Sequence, residues 1–199
     1  MSARRLLHDR SAASAAEFAM VLPLLILLLF GIIDAGRFMW EYNRAEKATQ
    51  VGARMAVVTD VISTGLGTQG YVGVGGLTQG DVIPASALSP IVCAQTACTC
   101  TGSCPTGYAA ANTPAFNAVL TRMRNMKPDI AAANVRVEYR GSGLGYAGDP
   151  NGMDPSPLVT VRLRQMQFTP ITTLLFVNFI MPDTLTTLTA EDSVGSQSN

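Results

Sequence analysis

The chain has 199 residues, of which 48% are apolar, enough to build a folded domain rather than a disordered chain. Only 14% are charged, about half the usual quarter, and 14 Lys and Arg cancel 14 Asp and Glu, so a nucleic-acid binder is excluded. The single histidine, His8, leaves no imidazole for a triad nucleophile or a His-ligated metal centre beyond the first ten residues, and no enzymatic activity is expected.

In chain order, a basic leader comes first, residues 1–12, with Arg4, Arg5 and Arg10 against Asp9. An apolar run follows, Phe18 to Ile33, and between Ser11 and Asp34 the only charge is Glu17. At ~1.5 Å per residue the stretch from Ala12 to Ile33 spans roughly 33 Å, the thickness of a bilayer core, so residues 13–34 are predicted to form one transmembrane helix. A secretory signal peptide would have a shorter core and a small-x-small cleavage site, which Ile33-Asp34-Ala35 fits poorly. The excess of arginine before the run places the N-terminus in the cytoplasm and the remainder outside. Pro23, inside the run, predicts a kink of the kind packed membrane helices tolerate. Glu17 enters lipid at a cost of ~2–3 kcal/mol near the centre and less at the interface, which marks it as a functional candidate against the alternative of a snorkelling headgroup residue.

Residues 35–59 continue the helix outside the membrane. Ala45, Ala48, Thr49, Gly52, Ala53 and Ala56 fall on one face at helical spacing. This face suits close packing either between subunits or on a sheet of its own domain. Phe38, Met39, Trp40 and Tyr42 are expected to form an interfacial aromatic belt.

The block Arg10-Ser-Ala-Ala-Ser-Ala-Ala-Glu17-Phe18-Ala-Met-Val-Leu-Pro23, the apolar run after it, and Asp34-Ala-Gly36-Arg37 together resemble the TadE-like family, pseudopilins of the tight adherence (Tad, type IV-like) pilus; the similarity extends to Val58. The resemblance implies cleavage by a prepilin peptidase between Ala12 and Ala13, with Glu17 at the fifth mature position beside Phe18. Ala12 stands where the family favours Gly. The resemblance further implies that Glu17 pairs with the new N-terminal ammonium of a neighbouring subunit. It gives the chain the role of a minor pilin with no cofactor, and as partners the peptidase, the major pilin and other pseudopilins, the inner-membrane assembly platform and the bilayer. The alternative reading is an uncleaved single-pass anchor carrying an extracytoplasmic binding or adhesion domain.

Residues 60–112 form a Gly-rich region predicted to be mostly loop. Its four cysteines, Cys93, Cys98, Cys100 and Cys104, are expected to make two disulfides, with three pairings open, rather than a metal site. In residues 113–192, Pro114–Lys127 is predicted to be a helix with Phe116, Val119, Leu120, Met123 and Met126 as its stripe. Val135, Val137 and Tyr139 alternate with polar residues, as do Val159, Val161 and Leu163, so both stretches are predicted as half-buried strands. The phase shift to Met166 and Phe168 predicts a bulge at Gln165. Ile171–Met181 is too short to span a membrane, and Leu185–Thr189 offers a last strand before the polar tail, 193–199. Two G-x-G-x-x-G stretches, at Gly65 and Gly143, open no predicted helix and read as turns. Asp149, Asn151 and Asp154 lack the calcium-loop spacing. The fold class is therefore α+β: a long N-terminal transmembrane helix extending into a small domain with an antiparallel sheet, in the manner of a pilin lollipop.

Overall fold

The computed structural model describes residues 10–150, 152–174 and 178–190; most of the basic leader, Asn151 and the polar tail lie outside that range. One helix, α1, runs from Arg10 to Ala56 and continues through Pro23 without a break. Its 47 residues contain no other proline, and its end lies two residues short of the expected Val58. Two compact units divide the chain: residues up to Glu41 with Gln167–Phe179, and Tyr42–Met166 with the residues from Ile180.

The larger unit is built on a five-stranded antiparallel sheet, in the order β2-β1-β3-β4-β7. The strands are β1 (Ile91–Cys93), β2 (Cys98–Cys100), β3 (Val135–Arg140), β4 (Leu158–Leu163) and β7 (Thr184–Thr189). β3 and β4 pair in full register from Val135 opposite Leu163 to Arg140 opposite Leu158. Val135, Val137, Tyr139, Val159, Val161 and Leu163 point into the core, and Arg162 Nε reaches Glu138 Oε1 at 3.1 Å on the opposite face. The period-2 pattern is thus realised as an inward apolar row and an outward charged one.

Against this sheet lie the last turns of α1 and the helix α3 (Thr113–Met126); the short α2 is Thr64–Thr68. Asn112 caps α3 by accepting from the Ala115 amide at 3.1 Å, and Pro114 sits in its first turn. Phe116, Val119, Leu120 and Met123 are buried as expected. Met126 is not: it lies at the helix end and is 36% exposed.

The small-residue face of α1 has one use in this chain. Ala45, Ala48, Thr49, Gly52, Ala53 and Ala56 are all buried. A side chain at Gly52 would meet Met123 at 2.7 Å and Val161 at 3.3 Å, and Thr49 Oγ1 bonds Thr186 Oγ1 at 3.1 Å. The face is therefore spent on α3, β4 and β7, not left for another subunit. Between the two openings the sequence left, packing within the domain is the one realised.

Two expectations need correction. The bulge at Gln165 is instead a strand end. β4 stops at Leu163, Gln165 adopts a left-handed φ of 55°, and a separate two-stranded ribbon forms from β5 (Gln167–Phe168) and β6 (Phe179–Ile180). The side chain of Asn134 reaches the Arg164 carbonyl at 2.9 Å, holding the chain where it turns away. The 60–112 region is also more ordered than a loop, since it supplies both β1 and β2 to the sheet. Three-residue strands leave too short an alternation to be read from sequence.

The first Gly-rich stretch does enter a helix, contrary to expectation: Gly65 lies in the first turn of α2. A Cβ there would collide with the backbone of Thr106 and Tyr108, so close chain approach rather than phosphate binding requires the glycine. The second stretch lies in the connection between β3 and β4, with Gly143, Gly145 and Gly148 at φ of 82°, 98° and 76°. Asp154 closes this connection. Its carboxylate accepts from the amides of Tyr71 (2.7 Å), Gly148 (2.9 Å) and Asp149 (3.1 Å), which is turn chemistry and occupies the group a cation would need.

Candidate functional site: the exposed apolar helix and the Asp34 latch

From Ser14 to Ile33 every side chain of α1 is exposed, Phe18 at 63% and Leu24 at 69% among them. A Leu-rich helix with no protein cover on any face is long and apolar enough to cross a membrane, at mean hydropathy 2.6. Glu17 is exposed on this helix one residue before Phe18, and Ala12 and Ala13 belong to its first turn. Thus the residues expected to serve processing and assembly occupy one end of an uncovered helix.

At the other end of the apolar run the structure builds something the sequence did not announce. Asp34 is only 7% exposed. Its Oδ1 accepts from the Ile171 amide at 2.7 Å and from Arg37 Nη1 at 3.0 Å; its Oδ2 accepts from the Thr172 amide at 3.0 Å and the Thr172 hydroxyl at 2.8 Å. Four donors saturate the carboxylate. Arg37 also lies 5.5 Å over the ring of Phe168. Phe38 contacts Phe168 edge-on and Phe179 at a tilt, each at 5.5 Å between centroids, and Phe168 and Phe179 are 5.3 Å apart.

Phe38 therefore departs from the expected belt: it is the hub of an aromatic trio, while Met39 and Trp40 remain exposed at 56% and 66%. The sequence signals for the latch were present but weak. They are an acid placed directly after the apolar run and, some 130 residues later, an uncharged Thr-Pro-Ile-Thr whose free amides follow a proline. Beside the trio is an open cavity of about 470 Å³, lined by Gly31, Ala35, Phe38, Phe168, Pro170 and Phe179.

The cysteines pair as neighbours. Cys93–Cys98 joins β1 to β2, and Cys100–Cys104 closes the turn that follows. Among the described residues there is no group of three or more His, Cys, Asp or Glu placed to hold a metal.

Residues 12–54 match the family model for TadE-like proteins, a segment that takes in Glu17, the whole apolar run, the Asp34 to Arg37 motif and most of the buried small face. No curated protein and no solved structure matches the chain. The N-terminal helix is therefore similar to that of TadE-like proteins over residues 12–54, about a fifth of the chain.

Proposed function

We propose that the chain is a pseudopilin, a minor pilin of a Tad-type pilus used in surface adhesion, held in the inner membrane by residues 13–34 with its N-terminus cytoplasmic and its sheet domain outside. It has no catalytic activity of its own. The observation that carries this reading is the uncovered apolar helix with one acid, Glu17, at its leading end. A plain anchor needs the apolar length but has no use for the acid. An assembling subunit does, because a carboxylate meeting the new N-terminal ammonium of a neighbour relieves two charges that lipid penalises, and it fixes the register between helices. In this reading a prepilin peptidase hydrolyses the Ala12–Ala13 bond, the arginines leave with the leader, and Ala13 supplies the ammonium. The major pilin, other pseudopilins and the assembly platform then pack on the apolar helix.

The two disulfides fit a domain that matures outside the cytoplasm. Intact mass and N-terminal sequencing of the protein from its own host, with and without the prepilin peptidase, test the proposal. A peptidase-dependent start at Ala13, and loss of pilus assembly in Glu17→Ala with normal membrane insertion, are expected. A start at Met1 in both strains together with indifference to Glu17→Ala would establish the membrane-anchored binding domain instead.

A further inference from the structure

The unit formed by α1 up to Glu41 and residues 167–179 exposes apolar surface that no part of the described chain covers. Ile171 is 53% exposed and Phe179 45%; Phe179 and the two neighbours of Ile171, Pro170 and Thr172, line the open cavity whose wall includes Gly31. Gly31 lies inside the apolar run, nearly one turn before Asp34, so the cavity wall and the uncovered helix form one surface. Residues 165–182 carry no charge at all.

We infer that this surface, presented by Ile171 and Phe179 and seated on the Phe38–Phe168–Phe179 trio, is a second membrane contact that rests in lipid at interfacial depth beside the transmembrane helix. The inference rests on the reading of α1 as a membrane span and is independent of the pilus role.

Three features favour lipid as the occupant. Backbone amides placed near hydrocarbon must be satisfied internally, and those of Ile171 and Thr172 are, by Asp34. The carboxylate itself, the first charge after the apolar run, is compensated by Arg37 and the Thr172 hydroxyl instead of being left to the headgroup region alone. Finally, the surface is continuous with helix faces exposed on every side, and it carries the aromatic and branched aliphatic side chains that interfacial segments use. The latch thus satisfies the Ile171 and Thr172 amides where this segment lies against the bilayer.

The test places a single tryptophan in the full chain, in a Trp40→Phe background, reconstituted in phosphatidylcholine vesicles brominated at shallow or deep acyl positions. Leu24→Trp reports the span and should be quenched most by deep bromines. Ile171→Trp should lose fluorescence to shallow bromines more than to deep ones; Phe179→Trp, which keeps an aromatic ring in place, reads the same surface should the first variant fold poorly. Quenching of Leu24→Trp with none at Ile171 or Phe179 overturns the inference and leaves the span standing. No quenching at any of the three overturns the span and the inference with it. Quenching at Ile171 that appears only on dilution with excess lipid assigns the surface to a second copy of the chain and also overturns the inference.

Discussion

The two halves of α1 belong to one unbroken helix yet meet opposite surroundings. Between Phe18 and Ile33 the side chains are mostly large and apolar, and all are exposed; between Ala45 and Ala56 the inward face is small and buried. Hydrophobicity alone would assign the core to the wrong half. Leu, Ile and Phe offer the most area to remove from water, at about 25 cal/mol per Å², but here they find no partner in their own chain. Ala, Gly and Thr offer little area and find a complete one, because a backbone without bulky side chains can approach α3 and β4 closely. Side-chain size thus separates the half whose cover must come from outside from the half covered by its own domain.

The sharpest way to break this comparison is to place the same side chain in both halves. Gly52→Leu forces branched bulk against Met123 and Val161, where even a Cβ would sit at 2.7 Å and 3.3 Å. Overpacking of this kind costs about 3 kcal/mol, read as a fall in Tm of the sheet domain. Gly31 has nothing within 4 Å of the corresponding position, so Gly31→Leu should leave that Tm unchanged. Equal losses in the two variants would show that the halves are not distinct.

Removing a disulfide weakens the covered half at its base. Cys93 and Cys98 pair directly across β1 and β2 at the sheet edge. The short loop they close implies a loss of about 2 kcal/mol for the Cys93→Ala/Cys98→Ala double variant, measured by chemical denaturation. Glu17-dependent behaviour of the uncovered half should persist in that variant while it remains folded.

Asp34 marks where the uncovered half ends. Asp34→Ala strips the acceptor from the amides of Ile171 and Thr172. The expected result is a rise of about 10-fold in hydrogen exchange at those two amides, with protection of β3 and β4 unchanged. Unchanged exchange at Ile171 and Thr172 would mean that the carboxylate does not hold the segment.

How much of this was legible follows the same division. The apolar helix was readable from the length of its uncharged run, and α3, β3 and β4 because each carries its period over at least six residues; β7 has Leu185 and Leu188 three apart and shows no such alternation. The latch was not, since an acid and two amides 137 and 138 residues apart have no periodic signature. Phe38 was misread because an aromatic at the end of a span suits a belt as well as a cluster, and only the return of Phe168 and Phe179 distinguishes them. For the cysteines, the sequence predicted bridges but left three pairings open; the pairing of β1 with β2 brings Cys93 opposite Cys98 and leaves Cys100 for Cys104.

The smallest effect concerns how the covered half leaves the helix. Six residues after α1 ends, the Ile62 amide donates to the hydroxyl of Tyr139 at 3.0 Å, and both groups are fully buried. Tyr139→Phe keeps the ring and orphans the amide, which should cost about 1 kcal/mol at neutral pH. Burial also raises the Tyr139 phenol above its ordinary value, since the phenolate would lose solvation, even though the Ile62 amide opposes this by stabilising the anion. A raised folded-state value means that the unfolded chain gives up its proton first. The contribution of Tyr139 is then complete below about pH 10 and drains away as pH rises toward the folded-state value. Wild type should therefore lose its advantage over Tyr139→Phe in alkali, and the stability difference between them, measured from neutral pH upward, should shrink past pH ~10. A difference that stays constant across that range would place the phenol in contact with water and loosen the hydrogen bond that ties Ile62 to the sheet.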